Sequence, residues 1–126
     1  MIRDLIGIPF VRGGRDRAGA DCLGLLHLVL EERGIPFRDP WVELSAAFHA
    51  GTLRAVDAVP ERWPPVALDA LQPGDVLLVE NGRGGHVLIV AENGYCLQAA
   101  ERSTSHLLQT RRVLQRFKVL GAWRPA

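Results

Sequence analysis

Gly19-Ala20-Asp21-Cys22-Leu23-Gly24-Leu25-Leu26-His27-Leu28-Val29-Leu30-Glu31-Glu32-Arg33-Gly34 reads as one helix with a cysteine in its first turn. Small residues lead in, Asp21 is placed to accept from the free N–H groups of that turn, and Gly34 supplies a left-handed stop. Those N–H groups and the positive end of the helix dipole favour a thiolate over a thiol, which makes Cys22 a candidate nucleophile. The helix is also apolar nearly all round, and unreactive cysteines are common in such helices as small apolar residues. Taken alone, the helix leaves both readings open.

The 126 residues suit one domain over 1–126, long enough to bury a core without metal or disulfide support. The composition, 48% apolar and 23% charged, is that of an ordinary globular protein. A net charge of +1 gives no general argument for nucleic acid or membrane as a partner. Cys22 and Cys96 are the only cysteines, so there is no disulfide framework to infer, and no cysteine or histidine pair has the spacing of metal ligands. No cofactor is expected. Met1-Ile2-Arg3-Asp4 puts an acid where a signal peptide carries its basic region, so the expectation is cytoplasmic synthesis without an export signal. No apolar run approaches the roughly 18 residues of a membrane span.

Before the helix, residues 2–6 suit one short turn, and Gly13-Gly14 marks a tight turn or a close approach of backbones. Arg15 to Gly19 form a polar lead-in. After the helix, Ile35-Pro36-Phe37-Arg38-Asp39-Pro40 is extended, and residues 41–58 hold one or two short helices with a break near Gly51. Pro60, Pro64 and Pro65 around Trp63 exclude regular structure there. The hydrophobic period then changes to that of strands. Asp75–Glu80, His86–Ala91 and Tyr95–Ala100 form an antiparallel meander, separated by the glycine-rich loop 81–85 and the turn Glu92-Asn93-Gly94. Phe117–Trp123 is a further strand, and residues 101–112 are polar and ambiguous.

A cysteine nucleophile needs a base, and the base needs a group to hold its tautomer. Of four histidines, His27 points to a different helix face from Cys22, His49 lies in the uninformative middle, and His106 falls in a polar stretch. His86 differs, because it opens an apolar strand straight after Gly84-Gly85, so its ring stands at the sheet's end, where neighbouring backbone leaves room for a substrate; the alternative is that it merely terminates the strand. The turn tests the third residue. If Asn93-Gly94 were the centre of a two-residue hairpin, paired numbers would sum to 187 and His86 and Gln98 would lie on opposite faces. If Glu92-Asn93-Gly94 is a three-residue loop with Gly94 left-handed, Ala91 faces Tyr95, the sum is 186, and Gln98 lies diagonal to His86 on one face. Gln98 is otherwise an unexpected amide among apolar neighbours. Cys96 reads as core.

Pro9-Phe10-Val11-Arg12-Gly13-Gly14, Asp21-Cys22-Leu23-Gly24-Leu25, Pro73-Gly74-Asp75-Val76, Gly85-His86-Val87 and the Asn93-Gly94 turn leading to Gln98 together resemble the NlpC-type cysteine peptidases of the papain-like fold. The resemblance is strongest to the short forms encoded with phage or gene-transfer-agent tails. It implies an α+β domain with the Cys22 helix packed on an antiparallel sheet. It further implies Cys22 as nucleophile, His86 as general base, Gln98 as the residue orienting it, and Asp21, Phe10 and Gly85 on the substrate side, Asp21 meeting a substrate amine. The implied substrate is the stem peptide of bacterial peptidoglycan, cut beside a D-glutamyl residue through a thioester. The implied partner is a phage-like tail hub or tip protein, with the chain carried on the virion or tail particle. Two positions depart from the pattern: Phe10 stands where many members have a tyrosine, and Gln98 where histidine is commoner. Two alternatives remain, a structural tail subunit with little chemistry and an amidase or acyltransferase using the same thiol and imidazole.

Overall fold

The computed structural model describes residues 1–37, 55–80, 82 and 84–126. The helices expected within 41–58 fall largely outside the described residues, as does His49; what is described there is a 3-10 turn at Ala55–Ala58. The chain opens with a 3-10 turn at Ile2–Leu5 that buries Ile2 and Leu5. Then come the strands β1 (Arg15–Asp16) and β2 (Gly19–Ala20), the helix α1 (Cys22–Glu32), and β3 (Val76–Glu80). β4 (Gly85–Val90), β5 (Tyr95–Gln98), β6 (His106–Gln109), the helix α2 (Thr110–Arg116) and β7 (Lys118–Trp123) complete the order. This is the expected α+β class. The polar lead-in is itself a small hairpin, with Arg15 opposite Ala20 and Asp16 opposite Gly19.

β6, β5, β4, β3 and β7 lie side by side in that order as one antiparallel sheet. Its central strands β3 and β4 are buried along nearly their whole length, because both faces are covered and alternation is lost. On one face α1 contributes Leu23, Leu26, Val29 and Leu30 to a core with Val76, Leu78, Val87, Ile89 and Leu97. On the other, Val113 of α2 packs with Leu77, Val79, Leu88, Val90, Cys96 and Ala122. Strand β6 and helix α2 occupy the stretch expected to be polar and ambiguous. β6 is an edge strand whose residues are all half-buried, so it gives no clean apolar alternation.

The ends of α1 are set as the sequence implies. Gly34 has φ of +65°, its N–H donates to the Glu31 carbonyl at 3.1 Å, and the Ile35 N–H donates to the Leu30 carbonyl at 2.9 Å, which together make a Schellman stop. Inside the helix, Gly24 answers a steric need. A Cβ there would lie 2.1 Å from the carbonyl oxygen of Gly14, so the hairpin before α1 seats directly on the first helical turn. Gly24→Ala gains about 1 kcal/mol in helix propensity but meets an overpacking cost of up to about 3 kcal/mol. The expected result is a fall of roughly 8 °C in the thermal unfolding midpoint. An unchanged or raised midpoint would contradict the close approach.

The Pro73-Gly74-Asp75 element closes the far end of the sheet. Gly74 has φ of +95° and its N–H donates to the Val90 carbonyl at 2.8 Å. The buried Asp75 carboxylate takes both Nε (2.9 Å) and Nη2 (3.0 Å) of Arg124, just past β7, and accepts from the Gln72 N–H at 2.7 Å. Asp75 is therefore a tie between β3 and the end of β7.

Candidate active site

The turn after β4 decides the geometry of the site. Asn93 has φ of 59° and Gly94 has φ of 81°, and the Ala91 N–H donates to the Tyr95 carbonyl at 2.7 Å. Glu92-Asn93-Gly94 is thus the three-residue loop. Ile89 pairs with Leu97 and Val90 with Cys96, the register whose numbers sum to 186. Gln98 accordingly falls on the face of His86, and its Oε1 lies 3.1 Å from the His86 Nε2. On the next strand Gln98 is paired with His106, and its Nε2 lies 2.9 Å from the His106 Nε2. The His106 Nδ1 lies 2.9 Å from the Thr104 carbonyl oxygen. Two imidazoles therefore flank one amide. His106 was not separable in the sequence from a solvated loop histidine, and the one available signal was that Ser103-Thr104-Ser105 suits a turn before a new strand.

Cys22 is the first residue of α1 and half-buried. Its thiol lies within reach of the main chain of Val87 and of Leu23, which puts it against the start of β4, one residue beyond His86. No hydrogen bond joins the thiol to the His86 ring among the described residues. Burial pushes the thiol up to about 11; the Val87 and Leu23 main chain oppose this, Asp21 adds to it and Arg15 subtracts. The thiolate expected from the helix N-terminus is therefore not the resting form. The reason is local, since burial disfavours the anion and the Asp21 cap already places a carboxylate at the positive end of the helix. His86 is shifted the opposite way. Burial lowers it below its ordinary value of 6.5, with the Gln98 contact partly opposing, so the imidazole is neutral at neutral pH.

Asp21 is buried and heavily used. One oxygen accepts from the Gly24 N–H and from Arg15 Nη1, and the other accepts from the Gly13 N–H, all at 2.8 Å. It joins hairpin, loop and helix around the cysteine. Phe10 is half-buried against the α1 core. Its N–H donates to the Ser103 carbonyl at 3.0 Å, and the flanking Pro9 carbonyl accepts from the Ala20 N–H at 3.0 Å. Phe10 thus spans the lead-in to Cys22 and the turn before His106, and it has no hydroxyl to offer. Gly85 is half-buried at the start of β4, opposite Glu80. His27 lies beside Glu31 on the outer side of α1, with Nε2 3.4 Å from Oε2, away from this cluster. Cys96 is buried, its Sγ 3.1 Å from the Thr110 hydroxyl, as a core residue.

No curated protein matches the chain. Among solved structures, an NlpC/P60 family protein from Bacillus cereus ATCC 10987 superposes with a TM-score of 0.69 at 17% identity, over 98% of this chain and 37% of that one. The NlpC/P60 domain of the peptidoglycan hydrolase SagA gives 0.62 at 21% identity, over 97% and 91% of the two chains. A lipoprotein-like NLP/P60 family protein from Staphylococcus aureus subsp. aureus Mu50 gives 0.63 at 21% identity, over 98% and 38%. At these identities the likeness establishes the fold, and the chain spans little more than a third of two of these neighbours. The NlpC/P60 family pattern itself matches residues 7–119, and the chain belongs to that family.

Proposed function

We propose that the protein is a cysteine endopeptidase that hydrolyses stem peptides of bacterial peptidoglycan. The observation that carries this reading is a helix-N-terminal thiol set on the main chain of Val87, next to a histidine whose Nε2 is occupied by Gln98. With the Nε2 proton given to the amide oxygen, the lone pair of His86 is on Nδ1, the nitrogen left to act as base. Family membership and the fold shared with a domain of a peptidoglycan hydrolase support the substrate class.

In the first step Nδ1 of His86 takes the Cys22 proton as Sγ forms a bond to the scissile carbonyl carbon. The carbonyl π pair moves to oxygen, and the N–H of Cys22, at a helical position with no intrahelical acceptor, donates to that oxyanion. The tetrahedral species collapses, the C–N bond breaks, and His86 returns its proton to the leaving amine. Water then gives a proton to His86 and attacks the thioester, releasing a carboxylate and the free thiol. Because burial pushes the thiol up to about 11, the resting form at neutral pH is the thiol, so proton transfer accompanies attack. Sγ and Nδ1 come into bonding range in the substrate complex, where such contacts commonly tighten.

The cut beside a D-glutamyl residue and a place at the hub or tip of a phage-like tail, carried on the particle, belong to the same proposal. They rest on the resemblance of the motif order to the short tail-encoded forms. A docking subunit without chemistry is the second reading, favoured by the neutral thiol and its lack of a bond to His86. Incubation with defined muropeptides and mass analysis of the products separates the possibilities. The expected products are two fragments that together gain one water per cut, with a new amino group and a new carboxylate inside the stem. Transfer of the acyl group to an added amine instead would indicate an acyltransferase. An uncut stem would sink the peptidase.

A further inference from the structure

The geometry points to His106 as a positioning residue that fixes the tautomer of His86 by fixing the orientation of the Gln98 amide. This rests on the reading of His86 as base. The chain of contacts has a direction that follows from one end. The Thr104 carbonyl can only accept, so the His106 Nδ1, 2.9 Å away, carries the proton. A neutral imidazole then presents Nε2 as an acceptor, and the group facing it at 2.9 Å must be the NH₂ of Gln98 rather than its oxygen. The Gln98 oxygen is thereby turned to the His86 Nε2 at 3.1 Å, where it can only accept. His86 must donate from Nε2 and keep its lone pair on Nδ1. Oxygen and nitrogen of a side-chain amide are assigned from such networks, and here a main-chain carbonyl makes the assignment.

Thr104 is itself anchored. It forms a bridge with Pro9, while the Ser103 carbonyl accepts from Phe10 and the Ser105 N–H donates to the Ile8 carbonyl at 2.8 Å. The buried Ser105 hydroxyl also accepts from the Ile8 N–H at 2.9 Å. The N-terminal segment thus holds the carbonyl that sets the direction of the relay. Without His106 the Gln98 amide has, among the described residues, no partner to tell its two orientations apart. With the amide reversed, its NH₂ faces the His86 Nε2, the ring proton moves to Nδ1, and the nitrogen meant to receive the thiol proton is already protonated.

The test is ring-nitrogen NMR on the folded protein with ¹⁵N-labelled histidine, together with kinetics on a muropeptide. In the unaltered protein His86 is expected as the Nε2–H tautomer and His106 as the Nδ1–H tautomer. His106→Leu should give a mixture of tautomers at His86 and lower kcat about tenfold with KM unchanged, the effect of losing one orienting hydrogen bond. His106→Glu, whose carboxylate can only accept from the Gln98 amide, should restore the single tautomer and most of kcat. A His86 that keeps the Nε2–H tautomer in His106→Leu, or that carries its proton on Nδ1 in the unaltered protein, overturns the inference. The latter measurement needs no variant to fold. Since the spectra require no substrate, failure of the relay and failure of the peptidase reading are told apart.

Discussion

Cys22→Ala is expected to abolish cleavage of peptidoglycan, lowering kcat by at least about 10⁴-fold, because no other group can form the thioester. Fold and stability should change little by comparison. The alanine keeps the helix start, and the Asp21 cap depends on the main-chain N–H groups of Gly24 and Gly13 and on Arg15, none of which the thiol supplies. Turbidity clearing of purified cell walls, read beside circular dichroism of the same preparation, checks both halves. Clearing that survives the substitution in a folded protein contradicts the mechanism, whereas an unaltered protein that clears no wall favours the docking subunit.

His86→Ala is the second large effect, a loss of about 10³-fold, within the range for removal of a general base. The residue also sets the pH dependence. The working form is the neutral imidazole, and burial lowers His86 below 6.5, so the acid limb of kcat/KM should have its midpoint below that value. On the alkaline side the thiol remains protonated until about 11, and no thiol ionisation limb is expected between neutrality and that point. Stability follows the same linkage. The unfolded chain takes up the proton around pH 6.5 while the folded chain resists until lower pH, so the contribution of His86 is whole above 6.5 and is lost as pH falls through the folded value. An acid limb above 6.5 would contradict the burial of the ring.

Most of the fold was legible because its signals are local. The Asp21 cap and the Gly34 stop bound α1, and Asn93-Gly94 supplied two left-handed residues that fix the register of β4 and β5. The sequence left two registers open, with sums of 187 and 186, and the second is the one that puts Gln98 beside His86. The rest failed where a role depends on distant partners. β6 is a four-residue edge strand among polar neighbours, so neither alternation nor length marks it, and with it the place of His106 was hidden. The hairpin of β1 and β2 is two residues a side, too short for any period. The state of Cys22, which the helix alone left open, turns on burial and on a neighbouring charge. A helix N-terminus favours an anion, but here burial of the sulfur raises the thiol and the neighbouring Asp21 adds to that.

The protonated thiol decides how reactivity should be measured. A resting thiol near 11 alkylates slowly at neutral pH whether or not the protein is an enzyme, so simple thiol titration does not divide an active peptidase from a docking subunit. Acid quenching during turnover of a defined muropeptide, followed by mass analysis of the peptide carrying Cys22, addresses the covalent step itself. Cys22 is expected to bear the acyl part of the stem peptide, an adduct lost when hydrolysis is allowed to finish and absent from Cys22→Ala. Cleavage that proceeds with Cys22 never acylated, and equally well in Cys22→Ala, would contradict it.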